Sequence, residues 1–502
     1  MKSKSEIKAG IMLSYALMLF NVIYGLISTP FILSYVGESS YGVYKTVVSI
    51  SSSMAIMDFG LGTTLTRYMA KYNAENNLKK ANNFAGMVFG QYAVLACLVA
   101  LVGTVLFFSL NKIYGATFSE TQLILARKLL VFLVLSVILR MLENLLIGIA
   151  SGFEKFTVAN GVRFSTVFTK FLLILVFLPI TEDTVTIVIL DNVVALLAIA
   201  FLGFYITKTI GIKPKFRSWD LSVFKESFLY TVLMFIQSIT VQFNGNVDNV
   251  LIGAQIGVES VTVYSMSLLV FTMYEGLSSS ISNIMLPNMA KRVAAGQTSE
   301  QLQSGVEKAG KFQFMLLAAA IGGFVVLGKD FFWLWLGDGF ENCYYLTLIL
   351  IIPITFPMIQ NVSLSILRAQ NKMTYRTITL GVSCLINVVI TYFGIKLYGV
   401  WGAAVGTAAS TISNLVFMNI YYHKKLNFKI FRMFYRIMYK VLPCAVISIL
   451  ITYAVHCFIN SSWIAFMINI VVFVGVYGIA LMIWALNADE KRFIFGHFLN
   501  RR

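Results

Sequence analysis

Val36-Gly37-Glu38-Ser39-Ser40-Tyr41-Gly42-Val43-Tyr44 opens a stretch that crosses an apolar span, reaches Asp58-Phe59-Gly60-Leu61-Gly62 and closes on Met69-Ala70-Lys71. The frame returns 220 positions later. Ile256-Gly257, Ser260, Val263 and Tyr264 repeat their partners, and Met289-Ala290-Lys291 closes the second copy. Each copy reads as a short turn, a long apolar helix and a charged segment. Two matches at one offset point to a duplicated chain.

Outward from this stretch the chain is apolar. Of its 502 residues, 58% are hydrophobic and 12% charged, and runs of 18 or more mostly apolar residues recur throughout. Only helices or closed barrels satisfy the backbone in hydrocarbon, and no period-two alternation of barrel strands is present. The expected fold is all-α, a polytopic membrane protein of about fourteen spans. These fall near 11–33, 41–60, 84–109, 128–150, 161–180, 184–206, 230–252, 260–286, 313–328, 344–367, 376–395, 400–421, 441–459 and 462–485. The run from Ile11 to Leu33 is too long for a signal-peptide core and is read as an uncleaved span.

The repeat divides the chain into an N-terminal six-helix bundle (1–210), a basic linker (211–228), a second six-helix bundle (229–422), a second basic segment (423–440) and two further helices with a tail (441–502). After the second span Gly60 and Gly62 break the helix. Leu65, Tyr68, Met69 and Tyr72 then share one face, which reads as a short amphipathic helix on the membrane surface. Its expected counterpart is 288–311, after Pro287. Asp58 is expected to cap the following helix or hold the turn. The outer turn Tyr114–Phe118 resembles Leu336–Phe340 at an offset of 222.

A net charge of +17 could suggest nucleic acid, but placement argues otherwise. With these spans, 31 of the 39 Lys and Arg fall on the side of the N-terminus, five on or near the other side, and three (Lys45, Arg140, Lys170) within spans. By the positive-inside rule both termini are cytoplasmic. The five scattered cysteines have no metal spacing, and no nucleophile elbow, zinc motif or phosphate loop is present. The expectation is a non-enzyme with no cofactor and no metal. Its energy would come from another chain or an ion gradient.

A charge at membrane depth costs about 2.5–3.5 kcal/mol on insertion scales, so each one needs a partner, water or ligand. Ser136, Arg140, Glu143, Asn144 and Ser151 share one face of the fourth span. Arg163, Thr166 and Lys170 share one of the fifth; Gln237, Thr240, Asn244 and Asp248 one of the seventh; Ser14, Asn21, Gly25 and Ser28 one of the first. Such stripes line a watery cavity. Arg140, Lys170, Glu143, Asn144 and Lys45 are the candidate binding residues for an anionic head group. Glu143, Asp191, Asp248 and Glu275 are the candidates for coupling to Na+ or H+. A structural reading stands beside each: Arg140 paired with Glu143 at i,i+3, Lys45 snorkelling to the surface, and the carboxylates hydrogen-bonded in packing.

The Gly37–Tyr44 turn, Asp58–Gly62, Asp248-Asn249-Val250-Leu251-Ile252-Gly253 and Trp333-Leu334-Trp335-Leu336-Gly337 resemble the polysaccharide-transporter branch of the multidrug/oligosaccharidyl-lipid/polysaccharide exporter superfamily. The resemblance covers essentially the whole chain. It implies two six-helix bundles in a V, with alternating access between them, and a polyprenyl-pyrophosphate-linked oligosaccharide as substrate. O-antigen, capsule or exopolysaccharide units would thus be turned from the cytoplasmic to the outer leaflet of the bacterial inner membrane. Membrane lipid, a polysaccharide polymerase and chain-length proteins are the other partners it implies. The rivals are a peptidoglycan-precursor flippase or a multidrug/cation antiporter of the same superfamily. From another class, a membrane polymerase or glycosyltransferase would usually carry a large outer loop or a catalytic acidic motif.

Overall fold

Gly37 decides how the chain enters the bundle. The first helix, α1 (Lys2–Met54), holds one non-helical residue, Gly37 (φ 76°, ψ 164°), so it is two helices meeting at a kink. At the repeated position Gly257 also has positive φ, 133°. A side chain is strained in this region, which is why the turn of each copy carries glycine.

The computed structural model describes residues 2–58, 60–215, 245–370, 372–458, 462–488 and 490–491, and every element among them is a helix. The chain divides into two compact units, Met1–Thr262 and Val263–Arg502. The first contains α1, α2 (Leu61–Ala74), α3 (Leu78–Tyr114), α4 (Glu120–Gly152), α5 (Phe156–Thr181), α6 (Thr184–Tyr205), the described end of α7 (245–255) and the start of α8 (Val258–Ala294). The second holds the rest of α8, α9 (Ser299–Leu336), α10 (Glu341–Ile359), α11 (Ser363–Ala369), α12 (Thr374–Tyr398) and α13 (Val400–Leu426). It ends with α14 (Ile430–Met438), α15 (Val441–His456) and α16 (Trp463–Ala480). The border lies inside α8 rather than in the basic linker, whose residues 216–228 lie outside the described ones.

Local sequence explains where these helices start. Ser119 and Gln122 form a reciprocal capping box at α4, as do Thr298 and Gln301 at α9. Asp183 accepts from the Val185 N–H at the start of α6 (2.9 Å). Each cap satisfies backbone donors that the first turn leaves unpaired.

Ten of the described helices are long and apolar enough to cross a membrane, or eleven if α14 and α15, bent by 41°, count as one span. The fold is therefore all-α and polytopic, and the described residues do not confirm the expected count of fourteen spans. Most of the first two expected spans falls within one helix, Met12–Met54. Most of the expected span 230–252, with Gln237, Thr240 and Asn244, lies outside the described residues. α8, with its many serines, is not among the ten.

Four other expectations need correcting. α2 does have the expected face, with Leu65, Tyr68, Met69 and Tyr72 buried together with Leu61 and Thr64. That face packs into the core with Phe84, Met87 and Leu145 rather than resting on lipid. Gly152 of α4 makes room: a Cβ there would collide with Met69. Its expected counterpart, 288–311, is not one helix. α8 continues through Pro287 to Ala294, and α9 begins afresh behind Thr298. Nor does Asp58 cap α2, whose N-cap is Gly60 in the left-handed region with no side-chain bond. Asp58 instead accepts from the Tyr92 hydroxyl on α3 at 2.5 Å. The repeated outer turns also differ, since Gly115 is right-handed and Gly337 has φ 87°.

Candidate functional site

α6 is almost wholly apolar, and the pair Asp191-Asn192 interrupts it near the middle. The two side chains take different neighbours. Asn192 accepts from the Ser136 hydroxyl on α4 (2.6 Å) and donates to the Phe132 carbonyl (3.0 Å), which fixes α6 against α4. That anchor holds Asp191 between two cations. The Arg140 guanidinium of α4 donates to both its oxygens, at 2.7 and 3.0 Å. The Lys170 ammonium of α5 lies 2.8 Å from Oδ1.

The cluster borders a cavity of about 200 Å³ in the first unit. Asn21 and Tyr24 of α1, Glu143 of α4 and Thr166 of α5 complete its polar wall. Asp191 and Lys170 are mostly buried, while Arg140 keeps 52% of its side chain exposed. Arg140 is thus held at one end and accessible at the other. An Arg offers a planar fork of donors and a Lys a compact movable charge, so the pair suits a phosphate-like anion.

Of the expected site residues, Arg140, Lys170, Glu143 and Asp191 come together here. The expected ion pair of Arg140 with Glu143 is replaced: the guanidinium bonds to Asp191. The reason is geometric, because a carboxylate facing Arg140 across the helix interface offers both oxygens at once. Asn144, Lys45, Asp248 and Glu275 do not line the cavity. Asn144 is exposed, and the Lys45 ammonium lies 5.2 Å from the centre of the Tyr41 ring. Asp248 is buried in α7, and Glu275 belongs to α8 in the second unit. Tyr24 and Asn192 were not singled out from the sequence. Asn192 had a signal, a second polar residue beside Asp191 in an apolar helix, whereas Tyr24 had none.

The family model for polysaccharide biosynthesis protein matches residues 7–292, more than half of the chain. The chain belongs to this family. All four cluster residues fall inside the segment that matches the polysaccharide biosynthesis family. A curated relative, "Putative O-antigen transporter" of Salmonella typhi, is 26% identical over 212 residues, or 40% of this chain. The chain spans about half the length of that relative (47%). In fold the chain is similar to a lipid II flippase, MurJ, in an inward closed conformation, with a TM-score of 0.74 at 16% identity over 97% of this chain and 100% of that one. It is also similar to an inward-facing multidrug resistance MATE transporter of the MOP superfamily, with a TM-score of 0.66 at 13% identity over 82% and 94% of the two chains. This family member therefore has the all-α, multi-pass membrane fold of that superfamily.

Proposed function

We propose that the protein is a flippase that turns a polyprenyl-pyrophosphate-linked oligosaccharide from the cytoplasmic to the outer leaflet of the bacterial inner membrane. One observation carries this reading: two cations at mid-helix, held by one carboxylate on the wall of a polar cavity. A buried charge left without a partner is costly, so Asp191 serves as the counter-charge of the empty site. An arriving pyrophosphate takes over the free side of Arg140 and then the ammonium of Lys170. Asp191 thus fills the role that the sequence suggested for Glu143.

Glu143 is left for coupling. The empty site carries two positive and two negative side chains, so an incoming dianion makes it strongly negative. Sodium or a proton on Glu143 reduces that excess, which ties anion entry to cation entry. Alternating access between the bundles 1–210 and 229–422 then carries the load across. The short loops and the absence of a catalytic motif in the sequence favour transport over polymerisation.

The test is reconstitution with a labelled lipid-linked oligosaccharide. Arg140→Ala and Lys170→Ala should each lower flipping at least tenfold at normal protein level, with Lys170→Arg recovering part. Glu143→Gln should flip at a rate that no longer responds to an imposed ion gradient. Full flipping by both alanine variants rejects the reading. Orientation is tested separately: a cysteine at Glu182 should react with an impermeant thiol reagent from outside, and one at Lys215 should not. The opposite labelling would reverse the direction of transport.

A further inference from the structure

We propose that the apolar groove between α5 and α6 holds the first part of the isoprenoid chain of the lipid whose pyrophosphate lies on Arg140 and Lys170. The inference rests on the function proposed above and adds a second subsite to it.

The groove has a volume of about 360 Å³ and is lined mainly by apolar atoms. Small residues of α5, Gly161, Ser165 and Thr169, line it together with the buried Val162 and Ala198, and Leu197 and Phe201 of α6 line it as exposed side chains. It shares Thr166 and Val194 with the charged cavity, so the two spaces meet at one helical turn. That turn lies next to the cluster. Thr166 precedes Lys170 by one turn on α5, and Val194 follows Asp191 by one turn on α6.

Size and chemistry select the occupant. A cavity of about 200 Å³ takes a head group and not a long lipid chain, so the chain must leave it through a neighbouring apolar path. The groove supplies one. It spans Val158 to Thr169 on α5, about 16 Å at the helical rise and roughly half the hydrocarbon core. In the proposed orientation these residues lie in the cytoplasmic half of the bilayer, where the lipid is taken up. A neutral lipid would gain nothing from the adjoining cations, whereas an anionic isoprenoid uses both surfaces together.

Gly161 allows a direct test, because it lines the groove and a Cβ there meets only Leu13 within 4 Å, at 4.0 Å, an ordinary contact. Binding is measured on full-length protein in nanodiscs with two probes, a long-chain polyprenyl pyrophosphate and the short, soluble geranyl pyrophosphate. Gly161→Leu should weaken the long-chain probe at least tenfold and leave the short one unchanged. Arg140→Ala should weaken both. If Gly161→Leu leaves both unchanged, or weakens both alike, the groove does not hold the chain while the head-group site stands. If the wild type binds neither probe, the proposed function fails with it. A photo-crosslinking side chain in place of exposed Leu197 gives a readout in an otherwise unaltered protein. It should label the long-chain probe over bulk phospholipid, and labelling in simple proportion to lipid abundance overturns the proposal.

Discussion

The first unit holds a carboxylate between two cations at mid-helix; in the second, α12 and α13 meet through neutral polar side chains. In α12 and α13, which close the second expected six-helix bundle as α5 and α6 close the first, the polar pair is Asn387 and Thr407. The Asn387 side-chain amide donates to the Thr407 hydroxyl (3.1 Å), and the Thr391 hydroxyl donates to the Asn387 Oδ1 (3.0 Å). Ion pairs in this unit lie elsewhere. Lys311 meets Glu490 of the tail at 2.6 Å, and Arg436 of α14 meets Glu307 at 3.1 Å. The Asn387–Thr407 bond between α12 and α13 is neutral. Two neighbouring helices can thus be joined by a polar contact without charge. Given the cost of charge in hydrocarbon, the ligand proposed above would give the cluster of the first unit its reason.

The strongest way to break this comparison is to give the first unit the neutral chemistry of the second. Arg140→Gln, Lys170→Asn and Asp191→Thr in one chain should leave abundance and melting temperature near wild type while flipping falls at least a hundredfold. If folded protein is lost in step with flipping, the charges are structural and the comparison misleads. The next effect is on stability. Asp191→Asn alone leaves two cations without the carboxylate that bonds them both, at a cost of about 3 kcal/mol. Melting in detergent reads this loss, and adding Lys170→Met should recover most of it. No change in melting for the single variant would show that cavity water screens the pair.

The smallest effect concerns the tail of the second unit. Burial by itself would raise the Glu490 carboxyl; the hydrogen bonds from the Lys311 ammonium and the Asn487 N–H outweigh it and hold the group below its usual range. A depressed carboxyl stabilises fully above the unfolded value, about 4.3, and loses that contribution as pH falls through the lower folded value. Glu490→Gln should cost about 2 kcal/mol at pH 7, since a bond to a charged group is lost. Its melting should also fall less than that of wild type between pH 5 and 3. Equal pH slopes for the two proteins would detach the tail from this ion pair.

Much of this was legible in one dimension. Helical spans follow from run length, the face of α2 from 3.6-residue spacing, and the polar stripes of α4 and α5 from steps of three and four. Duplication was visible because Gly37 and Gly257 must supply the same positive-φ turn. Partner choice was not legible. Asp191 is 51 residues from Arg140 and 21 from Lys170 (191 − 140; 191 − 170), and spacing within one helix pointed to Glu143 because that is the only neighbour periodicity can see. What covers α2 was equally hidden, since lipid and a protein core select the same apolar stripe.

Composition and periodicity thus determined the class of protein, because hydrocarbon imposes its demands on each span separately. Which carboxylate holds the two cations, and that an apolar groove begins one turn away, was decided only when α4, α5 and α6 packed. Contacts between helices depend on the rotation and depth of each helix against its neighbours, set here by bonds such as Ser136 to Asn192, and no single helix encodes them.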